Sequence, residues 1–256
     1  MAKPRGFQFK QFFIEHSHCA MKVGTDSIML GSWLEVGPAR RILDVGTGSG
    51  ILAVMLAQKS PVDCQISGID IDEAAISQAK RNGQTCPWSS RLHFSQSSLQ
   101  DFLPSEKFEL ILSNPPFFPV YRRSGEESQQ VIQHAEPFIS QQQRQTARHT
   151  GTLSHRQLLD GVASLLSDDG RFACVLPAQN SDELIGYAAE LGLLCRRRLL
   201  VRAKPEGKII RHLLDFCRYS LLSERDVETK QLSIQQADGE YSQAYMNLCQ
   251  DYYLKF

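Results

Sequence analysis

Arg40–Lys59, RRILDVGTGSGILAVMLAQK, reads as a buried strand, a glycine turn and a helix, in that order. The run Ile42–Val45 is apolar apart from Asp44, as expected of a strand covered on both faces; a half-exposed strand would alternate. Gly46, Gly48 and Gly50 let the backbone turn sharply and approach another group, and the next helix presents the positive end of its dipole there. The alternation continues outward. QISGID (65–70) is strand-like and DEAAISQAKRN (72–82) helix-like, with Gly83 expected beyond its end. RLHFSQ (91–96) and FELILS (108–113) are further strands. After a long polar loop come SHRQLLDGVASLL (154–166) as helix, GRFACVLP (170–177) as strand and SDELIGYAAELG (181–192) as helix. LLCRRRLLV (193–201) and IIRHLLDFCRYS (209–220) close the series as two strands about the turn Lys204–Gly207. Repeated β-α units predict an α/β fold, a doubly wound, mostly parallel sheet with an antiparallel C-terminal hairpin.

The 256 residues, 42% of them hydrophobic, suffice for one large α/β domain. We expect a single domain over 1–256, with residues 1–39 an extension packed on the core and 226–256 a C-terminal appendage. Lys+Arg and Asp+Glu are both 28, so a nucleic-acid partner would have to be met by a local patch. No run approaches the roughly 18 apolar residues of a membrane span. The opening MAKPRGFQFKQFFIEHSHC is charged where a signal peptide would be apolar, so a cytoplasmic location without a membrane partner is expected. Seven scattered cysteines without a C-x-x-C pair suit reduced thiols. His16-Ser17-His18-Cys19 lacks a second ligand pair at zinc spacing, and no metal is expected.

Twenty residues beyond Gly50 stands Asp70, at the tip of the second strand, where an acid can accept hydrogen bonds from both hydroxyls of a ribose. A dinucleotide fingerprint would need glycine at position 51, which is Ile51. The observed G-x-G-x-G after Asp44 resembles the S-adenosylmethionine loop of class I methyltransferases. That resemblance implies S-adenosyl-L-methionine as cofactor, held by Asp44, Gly46, Thr47, Gly48, Gly50, Asp70, Ile71 and Asn114.

At the end of the fourth strand stands Asn114-Pro115-Pro116-Phe117. Prolines stop a strand because they fix φ and donate no N–H. In this sheet the corner faces the same crevice as the glycine loop. The Asn114 side-chain carbonyl and the Pro115 backbone carbonyl can each accept one N–H of an exocyclic amine, a poor nucleophile whose lone pair is delocalised into its ring. Two fixed acceptors favour the pyramidal, positively charged nitrogen that develops as it attacks. Pro116 stiffens the corner, and Phe117 offers a surface on which a splayed base can stack. The motif is that of amino-group methyltransferases.

FQFKQFF (Phe7–Phe13) and HCAMKVGTDSIMLGSW (His18–Trp33), with YSQAYMNLCQDYYL (Tyr241–Leu254), resemble the bacterial tRNA1(Val) (adenine(37)-N6)-methyltransferases over nearly the whole chain. The resemblance implies a Rossmann-like class I methyltransferase fold and methyl transfer to the N6 amine of adenine 37 in the anticodon loop of tRNA. Val23-Gly24-Thr25-Asp26 reads as a loop entering a helix, with Thr25 or Asp26 as N-cap. Such a helix start can bind the cofactor's carboxylate, with Lys22 adding charge. After the third strand, where related enzymes place an Asp, stand Ser98 and Leu99; a hydroxyl accepts from an adenine amine less strongly than a carboxylate.

The same chemistry on rRNA guanine N2 or a protein glutamine amide remains a rival, as do an NAD binder and a non-catalytic RNA-binding module. The loop 119–150, with Arg122, Arg123, Arg144 and Arg148, is expected to close over the nucleotide. Arg196–Arg198, Arg202, Lys204, Lys208 and Arg211 are candidates for phosphate contacts.

Overall fold

A computed structural model describes residues 5–17, 22–115, 153–221 and 228–256. Pro116, Phe117, the loop 119–150 with its four arginines, and His18 and Cys19 lie outside the described residues.

The chain opens with a hairpin, β1 (Gly6–Gln8) and β2 (Phe13–Glu15), then α1 (Thr25–Trp33). The alternating core follows as β3 (Arg41–Val45), α2 (Ile51–Lys59), β4 (Gln65–Asp70), α3 (Glu73–Thr85), β5 (Leu92–Gln96) and β6 (Phe108–Ser113). It continues with α4 (His155–Leu165), β7 (Leu166–Pro177), α5 (Ala178–Glu190), β8 (Leu193–Arg202), β9 (Ile209–Arg218), β10 (Glu228–Ser233) and α6 (Gln243–Cys249). Eight strands form one sheet in the order β10-β8-β9-β7-β6-β3-β4-β5. β7, β6, β3, β4 and β5 are mutually parallel, β9 runs against both its neighbours, and β10 lies parallel to β8 at the edge. From β3 the chain steps outward to β4 and β5, then crosses back to β6 on the other side of β3. The crevice between the carboxyl ends of β3 and β6 is therefore the switch point of the sheet.

Two apolar layers sandwich the sheet. Ile42, Ile66, Leu110, Leu112 and Val175 meet α1, α2, α3 and α6 on one face, while Leu43, Ile111, Phe172 and Cys174 meet α4 and α5 on the other. α2 is buried from Ile51 to Ala57, on every side, because α1 and the segment around Tyr252 cover the flank that the sheet leaves open. Tyr252 reaches in beside it and donates its hydroxyl to the carbonyl of Met55 at 2.9 Å. The opening hairpin is fixed by Asn82 of α3, whose amide accepts from the Glu15 N–H at 3.0 Å and donates to the Glu15 carbonyl at 2.8 Å.

Capping residues set several helix ends. Asp72 accepts from the Ala74 N–H at the start of α3, and Ser154 with Gln157 forms a reciprocal capping box on α4. At the end of α1, Lys59 donates its ammonium to the carbonyls of Gly31, Ser32 and Leu34. Burial lowers the pKa of Lys59 to about 8.

Three local expectations are corrected. Gly83 lies inside α3, which runs to Thr85; a side chain there would sit 2.7 Å from Phe94, so the glycine serves packing rather than termination. The N-cap of α1 is Gly24, with no side-chain cap among the described residues. Thr25 is instead the first helical residue, and the Asp26 carboxylate is taken by Arg211 of β9 at 2.8 Å. Strand β7 begins at Leu166 and α5 at Ala178, each earlier than the polar residues suggested.

Gly68 of β4 is a tight spot that the pattern of QISGID hides. A Cβ there would lie 2.6 Å from Phe94 Cδ1 and 2.7 Å from Thr47 Oγ1. We therefore expect Gly68→Ala to cost about 1–3 kcal/mol of stability through overpacking. Thermal unfolding checks it: an unchanged Tm would mean that the glycine loop yields freely.

Candidate active site

The loop between β3 and α2 folds back on β4. The N–H groups of Gly46 and Thr47 both donate to the Ile69 carbonyl at 2.9 Å, and the Gly50 N–H donates to the Thr47 carbonyl at 2.8 Å. Gly46, Gly48 and Gly50 take φ of +70°, +54° and +80°, a region where other residues are strained. In front of Gly46 and Gly48 a Cβ would meet nothing within 4 Å among the described residues, so the loop borders open space.

Asp70 receives the Gly48 N–H on one oxygen and the Asp72 N–H on the other, both at 3.0 Å. These bonds aim the carboxylate at the rim and leave lone pairs on both oxygens. Burial raises its pKa, with the two N–H donors opposing. Ile71 beside it is 53% exposed, an apolar face at the same edge. Asp44 is fully buried below the loop. Thr47 donates its hydroxyl to Asp44 Oδ2 at 2.6 Å, while Oδ1 has no hydrogen-bond partner among the described residues. Burial is the main reason that the Asp44 carboxyl is pushed up to about 7.

Asn114 follows Ser113, which pairs in register with Val45, so the amide emerges next to Gly46. Ser113 ties the two strands further by donating its hydroxyl to the Val45 carbonyl at 2.8 Å. The Asn114 amide nitrogen donates to Ser27 Oγ of α1 at 2.9 Å. Its oxygen is buried without a hydrogen-bond partner among the described residues. Pro115 is buried beside it. The start of α1 is thus at the crevice, with Thr25 exposed on its first turn and Lys22 exposed just before it. His16 accepts the Val23 N–H on Nδ1 at 3.4 Å. Its pKa is lowered by burial first and by the Lys22 charge second.

Other expected residues are placed differently. Ser98 donates to Asp101 Oδ2 at 2.6 Å and accepts from the Asp101 N–H at 3.1 Å, so its hydroxyl proton is committed locally. The Leu99 side chain belongs to the core, packed on Gly161 of α4. The basic run is largely spoken for. Arg171 and Arg196 approach the fully buried Asp215 at 3.1 and 3.8 Å. Arg197 pairs with Glu35 at 3.0 Å and Glu228 at 3.3 Å, and Arg211 holds Asp26. Lys204 and Lys208 stand exposed at the hairpin tip.

Sequence reasoning missed Ser27, Gly68 and Asn82, the last of which also donates to the Ser49 carbonyl of the glycine loop at 2.8 Å. A glycine inside a strand is a recognisable sign of close approach; the other two have no local signal.

The switch point, glycine loop and rim acid define a cofactor-binding α/β fold, and residues 15–145 match the family model of the methyltransferase small domain. The crystal structure of a predicted O-methyltransferase from Agrobacterium tumefaciens shares the fold, with a TM-score of 0.61 at 14% identity over 89% of this chain and 96% of that one. A tRNA1(Val) (adenine(37)-N6)-methyltransferase from Pseudoalteromonas atlantica is 44% identical, covering 99% of this chain and 100% of the relative. One of the same description from Yersinia pestis is 36% identical over 98% of this chain and 94% of the relative. The chain belongs to this methyltransferase family.

Proposed function

We propose that the protein methylates the exocyclic N6 amine of adenine 37 in tRNA1(Val), using S-adenosyl-L-methionine. The observation that carries this reading is the buried Asn114 oxygen beside Gly46, which has no hydrogen-bond partner among the described residues. The residues present fit the cofactor. Among the described residues, Asp44 Oδ1 has no hydrogen-bond partner under the loop, and nothing occupies the space before Gly46 and Gly48. When bound, S-adenosylmethionine supplies a methyl carbon activated by a sulfonium.

Asp70 would hold ribose hydroxyls, Ile71 would lie against the adenine, and the glycine loop with Asp44 and Thr47 would take the methionine part. The uncapped first turn of α1, with Thr25, would meet the carboxylate through backbone N–H groups, and Lys22 would add charge. Ser98, with one lone pair left, and the Leu99 backbone would border the adenine. Asn114 Oδ1 and the Pro115 carbonyl would accept the two N–H groups of the target amine. Neither group titrates near neutrality, so they orient and polarise the nitrogen rather than remove its proton. Phe117 is assigned base stacking, and Pro116 the stiffness of the corner, from the sequence motif. Lys204 and Lys208 at the hairpin tip fit phosphate contacts.

Incubation with methyl-labelled cofactor and separate tRNA, rRNA and protein fractions, followed by nucleoside mass spectrometry, tests the assignment. The expected product is N6-methyladenosine at position 37. Label in rRNA guanine or in protein glutamine would replace it.

A further inference from the structure

The structure assigns Ser27 as the residue that orients the Asn114 amide, an inference that rests on the reading of Asn114 as the amine acceptor. A terminal amide presents an acceptor at one end and donors at the other, and the two differ little in shape. The reaction can use only one orientation, because an amide turned about would offer N–H groups to an amine that itself donates. Ser27 Oγ accepts from the amide nitrogen at 2.9 Å, and in this orientation the oxygen is the end left without a partner among the described residues.

The tether is itself well held. Ser27 is 8% exposed. One residue earlier, Asp26 is bound by Arg211 at 2.8 Å, joining α1 to β9. At the far end of the helix Lys59 binds three carbonyls of α1 and its terminus. The hydroxyl therefore stands at a fixed place above the β6 rim. Ser27 is a positioning residue: it acts through Asn114 and needs no contact with the substrate.

Steady-state kinetics with tRNA and S-adenosylmethionine, with cofactor affinity measured by calorimetry, test the inference. Ser27→Ala is expected to lower kcat about 100-fold, the scale of loss for a misplaced catalytic group, with cofactor Kd nearly unchanged. Ser27→Thr, which keeps the hydroxyl, should recover most of the rate. Ser27→Ala added to Asn114→Ala should cost nothing further, since the tether then has nothing to orient. An unchanged kcat in Ser27→Ala, an equal loss of cofactor affinity, a failed threonine rescue or additivity in the double variant would each overturn the role. If Asn114→Ala itself keeps the wild-type rate, the acceptor reading fails and this inference with it. If Ser27→Ala alone keeps it, the acceptor stands and only the tether falls.

Discussion

Asn114→Ala is expected to lower kcat about 10²–10³-fold, the usual cost of removing one oriented partner of a developing charge. S-adenosylmethionine should still bind. Asp70 and the glycine loop do not depend on the amide, and the Ser113–Val45 bond keeps β6 beside β3 without it. The residual rate would come from the Pro115 carbonyl and from proximity alone. The truncation removes an oxygen that has no protein partner among the described residues and also the N–H donated to the buried Ser27 hydroxyl, so about 1–3 kcal/mol of stability should be lost beside the larger loss of turnover. Rate and affinity therefore separate. The measurement is single-turnover methyl transfer beside calorimetric cofactor binding; full transfer by this variant would strip Asn114 of its role.

The second large effect concerns pH. Burial raises the Asp44 carboxyl from 3.8 to about 7, so between those values the folded chain keeps a proton that the unfolded chain has released. The stabilising contribution is complete below about pH 4 and is lost as pH rises through about 7, a swing of about 4 kcal/mol at the standard conversion. Without cofactor, wild-type stability should thus fall across this window relative to Asp44→Asn, which has no proton to lose. Other buried acids such as Asp215 share the sign, and the difference between the two proteins isolates residue 44. If the methionine part of the cofactor lies over Asp44 as proposed, its ammonium would favour the carboxylate and flatten the wild-type slope. Denaturant midpoints from pH 4.5 to 8, with and without S-adenosylmethionine, measure all of this. Parallel curves for wild type and Asp44→Asn would show that the carboxyl is solvated after all.

The parallel core was legible because its strands are short apolar runs and its turns carry glycine, proline or asparagine at the points where the chain must stop. β3, β4, β6 and the β8–β9 hairpin fall where those signals place them. The site was legible to the extent that it is local: the loop from Asp44 to Gly50 is one turn, and Asp70 and Asn114 end strands adjoining it. What failed was tertiary. Asp26 looked like a cap, but Arg211 of a strand 185 residues away binds it. Gly83 looked like a terminator, but the Phe94 ring claims the room of its side chain. The arginines of β8 looked directed at RNA, whereas Arg196 and Arg197 answer acids brought near only by folding. Ser27 stood inside a motif already singled out, yet its partner is 87 residues on.

The last segment of the chain carries a consequence for synthesis. α1, which bears Ser27, packs against α6, and Tyr252 seals α2 beneath the glycine loop. A ribosome adding residues in order has released the loop, the rim acid and the amide long before this lid arrives. Until then Met55 and its neighbours lack their final cover, and contacts of such long sequence separation form slowly. The apolar flank of α2 is therefore closed late, when residues 243–252 pack onto α1 and Met55.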